Sequence, residues 1–160
     1  MPAAPSRSRP TLPGSPDGPG EAPSTVTIAG RRLPLPERTI RRAVETVLAG
    51  ERRRAAISLT FLGRDAMRRL NREYKGKDRP TDVISFELAG PEGLAVGDVY
   101  VCPWVGAREA QARGIPEREE MIRLVVHGTL HALGYDHPED EARTRSAMWR
   151  RQERYVEALT

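Results

Sequence analysis

A single cysteine, Cys102, excludes an internal disulfide and fits a reducing compartment. Next to the apolar run VYV it reads as a small core residue. No apolar run approaches the roughly 18 residues that a membrane helix needs. The N-terminus also lacks the apolar segment of a secretory signal. The expectation is therefore a cytoplasmic protein with no membrane partner. Residues 1–24, MPAAPSRSRPTLPGSPDGPGEAPS, hold almost nothing to bury and read as a disordered tail rich in Pro, Gly and Ser. Histidine is nearly as scarce as cysteine: the chain has three, all inside HGTLHALGYDH, residues 127–137.

Charge is unevenly placed. Residues 31–79 hold fifteen Lys or Arg against six Asp or Glu, and residues 80–160 hold nine against fourteen. A basic half joined to an acidic half suggests a positive face that would suit an anionic partner; the alternative reading is that the arginines only solvate two amphipathic helices.

Residues 25–160 have the length of one compact domain. STVTIAG and AAISLTFLG alternate apolar and polar positions as strands do, and TDVISFEL and GDVYVC supply two more. Ile40, Val44, Val47 and Leu48 form a helical stripe that starts at Pro36, with Gly50 as its expected stop. Met67, Leu70 and Tyr74 form another, closed by Gly76, which places Tyr74 in the core rather than on a nucleic-acid base. A short helix is expected around WVGAREAQARG. A longer one is expected from Pro116 through MIRLVVHGTLHAL to Gly134, and a last one from about Pro138 to Leu159. Trp104 and Trp149 read as packing residues, and Glu120 as a solvated carboxylate at a helix start. The fold class is α+β: a small four-stranded sheet packed with about five helices, its third strand near an edge.

His127 and His131 are four residues apart and share a helix face. Gly134 allows the chain to reverse and bring His137 beside them. Three imidazoles with no thiolate suit zinc with an open fourth position, where a bound water has its pKa lowered to about 7. Asp136 could support a histidine, but its reading is the cap of the following helix; Asp82 could face the cleft or cap a turn. The spacing is similar to the metzincin pattern H-E-x-x-H-x-x-G-x-x-H, except that Gly128 replaces the glutamate that serves those proteases as general base. Gly128 is expected to leave room at the metal for a bulky substrate.

HGTLHALGYDH, together with LNREYKGKDRPTDVISFE and GDVYVC, resembles the YbeY family of bacterial endoribonucleases over roughly residues 24–158. The resemblance implies a zinc-protease-like α+β fold, one zinc ion on His127, His131 and His137, and cleavage of single-stranded RNA. It further implies a part in maturing the 3′ end of small-subunit ribosomal RNA and in ribosome quality control. The implied partners are a small-subunit ribosomal protein and an Era-type GTPase. Arg72, Lys75, Lys77 and Arg79 would line the RNA groove, with Lys75 as the catalytic cation. The family carries arginine directly after the loop tyrosine, where this chain has Lys75; lysine keeps the charge but lacks the planar fork. Two other readings stand beside this one: a zinc peptidase, and a non-catalytic ribosome-assembly factor with a structural zinc.

Overall fold

The computed structural model describes residues 22–160. Most of the expected N-terminal tail lies outside the described residues. Ala22 and Ser24 do have partners: the Ala22 carbonyl accepts from Arg54 (2.7 Å), and Ser24 Oγ accepts from the Ala55 amide (3.1 Å). No described helix is long and apolar enough to cross a membrane.

Four strands, β1 (Thr25–Ala29), β2 (Ala55–Phe61), β3 (Val83–Leu88) and β4 (Ala95–Val101), form one sheet in the order β1-β2-β4-β3. β1, β2 and β4 are parallel, and β3 runs antiparallel to β4 at the edge. The helices are α1 (Glu37–Glu51), α2 (Arg64–Lys75), α3 (Pro103–Arg113), α4 (Glu117–Ala132) and α5 (Ala147–Leu159). This is the α+β architecture expected, with the third strand at the edge.

Strict alternation in β2 turns Ala55, Ile57, Leu59 and Phe61 to one face, where they join Val99 and Val101 of β4. Against that face pack α1, through Ile40, Val44 and Val47, and the almost wholly buried α4. Met67 of α2, Ile84 of β3 and Cys102 make a second, smaller cluster, with Leu70, Phe86, Tyr100 and Val105 packed on it.

Small residues let α4 lie close to the sheet. A Cβ on Gly97 of β4 would come within 2.5 Å of the Ala132 Cβ, and one on Gly128 within 2.4 Å of Val99 Cγ1. Gly128 and Ala132, one turn apart, thus form the strip that rests on β4, and each follows directly on a histidine. His127 and His131 are carried to the flank of the same contact.

Two boundaries and one burial differ from expectation. Gly50 does not stop α1; the helix continues to Glu51 and Arg52 takes the left-handed turn (φ 53°). Gly50 instead makes way for the Tyr155 ring, which would clash with a Cβ at 2.2 Å. The last helix does not start near Pro138: a short 3₁₀ helix, Glu141–Arg145, comes first, and α5 begins after Ser146, whose Oγ accepts from the Trp149 amide (3.1 Å). Tyr74 is not core. It is 58% exposed because α2 ends one residue later, and only its edge meets Phe86, at 5.0 Å between centroids.

Candidate metal centre and cleft

The α4 helix ends in a reversal that the local sequence imposes. Gly134 has φ +97°, its amide donates to the His131 carbonyl (2.9 Å), and the Tyr135 amide reaches back to Leu130 (3.1 Å). The turn is tied to the end of α1: Arg53 donates to the Leu133 carbonyl (3.4 Å), and the Tyr135 hydroxyl donates to Glu51 (3.2 Å). The chain then returns His137 to the flank of α4. The three imidazole centroids stand 4.6, 5.0 and 4.9 Å apart, nearly an equilateral triangle. One nitrogen from each ring lies within 4.8 Å of the others, so the group could hold a metal ion.

The outer nitrogens of two rings are already committed. His127 Nδ1 donates to Gln152 Oε1 of α5 (2.5 Å), and His137 Nδ1 donates to the Pro138 carbonyl (2.7 Å). Both rings therefore present the Nε2 lone pair inward, and these two atoms face each other at 3.3 Å. Two lone pairs at that distance repel unless a cation or a proton lies between them. Metal–nitrogen bonds of about 2.0–2.1 Å at the tetrahedral angle span about 3.3 Å. The His127–His137 pair thus has the spacing of two ligands of a tetrahedral ion, with polar groups behind the rings that fix their orientation.

Burial depresses the His127 pKa to about 3, helped by the neighbouring His131. His131 is lowered too, first by burial and then by His137. Both rings are consequently neutral near pH 7, as metal ligands must be.

The histidines sit in a cleft of roughly 390 Å³ with predominantly polar walls. Lys75 and Lys77 line it from the end of α2 and the following loop, and Thr81, Asp82, Val83 and Ser85 from the entry to β3 and the strand itself. Asp136, Glu139 and Arg143 complete it. The sequence profile of the family described as Endoribonuclease YbeY matches residues 28–160, the segment that builds all of this. The chain belongs to the YbeY family.

Among its relatives, a protein named Endoribonuclease YbeY from Halorhodospira halophila is 40% identical over 121 residues, 72% of this chain and 77% of that protein. A protein of the same name from Bordetella pertussis is 44% identical over 111 residues, 64% of this chain and 71% of that one. The solution structure of a Thermotoga maritima protein superposes with a TM-score of 0.61 at 26% identity, over 84% of this chain and 89% of the other.

The structure distributes the groove residues of the YbeY resemblance unevenly. Lys75 and Lys77 enter the cleft; Arg72 and Arg79 are not among its lining residues. Arg72 approaches Asp78 (3.7 Å), and Arg68 holds the same carboxylate with two bonds of 2.9 and 3.0 Å. The buried Asn71 donates to the Arg79 carbonyl (2.7 Å), so the loop carrying the lysines is pinned to α2 on both sides.

Other expectations need correction. Gly128 does not open space at the metal; it faces Val99, Val83 and Ser85, and Ser85 Oγ donates to its carbonyl (3.0 Å). Asp136 does not cap a helix but accepts from the His137 amide (2.8 Å), and the helical cap belongs to Asp140, which accepts from Ala142 (2.9 Å). Asp82 both lines the cleft and accepts from the Val83 amide (2.8 Å). Glu120 is buried, not solvated: it pairs with Arg123 (3.0 Å) and Arg113, while burial raises its pKa. Trp104 is 41% exposed, with Arg64 and Arg108 within 4.9 and 4.8 Å of its ring.

Gln152 was not legible as a site residue, because α5 meets α4 only in three dimensions. Its one sequence signal is a polar residue on the stripe of Met148 and Val156, the buried face of α5.

Proposed function

We propose that this chain is a zinc-dependent endoribonuclease specific for single-stranded RNA, with residues 25–160 as its catalytic domain. The observation that carries the reading is a three-histidine centre, lone pairs inward, in a polar cleft with lysines on its wall. A phosphodiester is the substrate that uses both features. Membership of a family whose named relatives are endoribonucleases supports the same reaction.

His127, His131 and His137 would hold the ion, which when bound supplies Lewis acidity toward a phosphoryl oxygen. Lys75 would offset the charge that builds on the phosphate, with Lys77 beside it and Arg72 and Arg79 supporting the RNA outside the cleft. Gln152 and the Pro138 carbonyl hold two imidazoles in the metal-binding tautomer. Maturation of the 3′ end of small-subunit ribosomal RNA in the cytoplasm, with a small-subunit ribosomal protein and an Era-type GTPase as partners, rests on the family resemblance alone.

A structural zinc would require a fourth protein ligand, and no carboxylate joins the three-histidine group among the described residues. A peptidase would need its general base from elsewhere, since Gly128 follows the first histidine and packs on Val99. The test is cleavage of single-stranded against duplex RNA by protein of measured metal content, by the metal-stripped protein, and by His131→Ala. Single-strand cleavage that disappears on stripping, returns with zinc and is missing from folded His131→Ala is the expected result. Stoichiometric zinc with RNA bound but never cut would overturn it in favour of an assembly factor.

A further inference from the structure

Arg143 lies in the 3₁₀ helix Glu141–Arg145, a segment with no counterpart in the motifs discussed so far. That helix is fixed at both ends. Asp140 caps its start, and Ser146 Oγ donates to the Arg143 carbonyl (2.7 Å) while capping α5. The Arg143 guanidinium carbon stands 5.5 Å from the Trp149 ring centroid, a cation–π contact that holds the side chain along α5. It lines the cleft together with the three histidines and Lys75.

Every other half-buried or buried arginine of this half of the molecule has an acidic partner. Arg123 binds Glu119, Glu120 and Glu153, and Arg151 binds Glu51. Arg143 forms no ion pair among the described residues, although its charge reaches Glu109, and its Nε is buried with no hydrogen-bond acceptor. A guanidinium fixed in a cleft with no acidic group bonded to it leaves its terminal donors open to an incoming anion. Lys75 enters the cleft from the end of α2 and Arg143 from the 3₁₀ helix after His137, so the two cations come from different elements.

We propose that Arg143 is a substrate-binding residue: its guanidinium grips the non-bridging oxygens of an RNA phosphodiester in the cleft it shares with Lys75. The proposal rests on the endoribonuclease reading and adds to it. Lys75 offers a point charge and no planar fork; Arg143 supplies the fork from another element. Because Nε is covered, the grip is end-on, through the two terminal nitrogens.

The test is binding of a short fluorescent 2′-O-methyl RNA single strand to zinc-loaded wild-type protein, Arg143→Met and Arg143→Lys across a salt series. Chelator competition for zinc and thermal unfolding run in parallel. Arg143→Met keeps the apolar stem on Trp149 and loses the donors. It is expected to bind RNA about tenfold more weakly. Its slope of log affinity against log salt should be shallower by about 0.7, one phosphate contact fewer on a single strand. Zinc affinity should not fall, and the protein should stay folded at the assay temperature. Arg143→Lys should restore the slope and only part of the affinity. Arg143→Met with wild-type affinity and slope would overturn the assignment, as would a loss of RNA binding that only accompanies a loss of zinc or of stability. Wild-type protein that binds no single strand at any salt would overturn the endoribonuclease reading as well.

Discussion

Gly128→Ala puts the packing of α4 to a quantitative test. The added Cβ would sit 2.4 Å from Val99 Cγ1, 3.2 Å from Val83 Cγ2 and 3.3 Å from Ser85 Oγ. Ordinary carbon contacts begin near 3.5 Å, so helix and strand must separate by about 1 Å. Val99 cannot swing aside: it is fully buried, in the middle of β4, and stiff at χ1. Overpacking of this kind costs about 1–3 kcal/mol. Alanine recovers up to about 1 kcal/mol through its better helix propensity. The net expectation is a loss of about 1–2 kcal/mol, or a melting temperature lower by about 2–8 °C.

Urea unfolding of the metal-free protein reads this directly, and a double-mutant cycle with Val99→Ala isolates the contact. In the Val99→Ala background the clash is gone, so Gly128→Ala should be neutral or stabilising. The coupling between the two should be about 1–3 kcal/mol. Had Gly128 been there to make room for substrate, Gly128→Ala would leave stability equal or raised and impair only turnover. A stable Gly128→Ala, or a cost that Val99→Ala leaves unchanged, would refute the packing argument.

Three further outcomes are expected. Gln152→Leu removes the acceptor for His127 Nδ1 (2.5 Å) and should weaken metal binding about 10–100-fold in chelator competition. It should also let the ring of the metal-free protein populate the other tautomer, visible in imidazole nitrogen shifts. Metal-free protein should lose stability in acid. His127 titrates at about 3 when folded against its ordinary 6.5. Above 6.5 neither state holds the proton, and between 6.5 and 3 only the unfolded chain does. Stability should therefore fall with falling pH across that window, by up to about 1.4 kcal/mol per pH unit; a flat denaturation midpoint between pH 6.5 and 5 would contradict it. Lys75→Arg should tighten single-stranded RNA binding several-fold, since a fork replaces a point charge in the cleft, with zinc affinity unchanged. Equal or weaker RNA binding would show that the lysine position does not touch phosphate.

Periodic segments are legible because one face of each element is buried. β2 alternates along its whole length and α1 carries a single apolar stripe, so both were readable to within a residue or two. Errors arose where a residue's role depends on what another element brings to it. Gly50 reads as a helix stop until Tyr155 of α5 is seen lying on it. Glu120 reads as a solvated helix-start carboxylate until Arg113 arrives from α3. Tyr74 obeys helical spacing, yet α2 ends before anything can cover it. The histidine triangle was legible for the opposite reason: His127, His131, Gly134 and His137 are local, so spacing alone fixes most of its geometry. Gln152 and Arg143 come from beyond the turn and carry no such signal.

The small residues after the first two histidines explain why one helix can serve as both core and site. A metal ligand on a buried helix needs its neighbours to fill the core without pushing the ring out of line. In α4 the positions after His127 and His131 are Gly128 and Ala132, and both rest on β4, against Val99 and Gly97. Their small size lets the helix come close enough for the histidines to emerge at the flank beside β3, where Val83 and Ser85 form the cleft wall. A glutamate at 128 would point at Val99, into the sheet and away from a substrate on that flank. The same packing that seats the three histidines therefore leaves no place here for the protease base. How closely the helix approaches the strand thus argues against a glutamate base at this position, a distinction that the histidine spacing alone does not make.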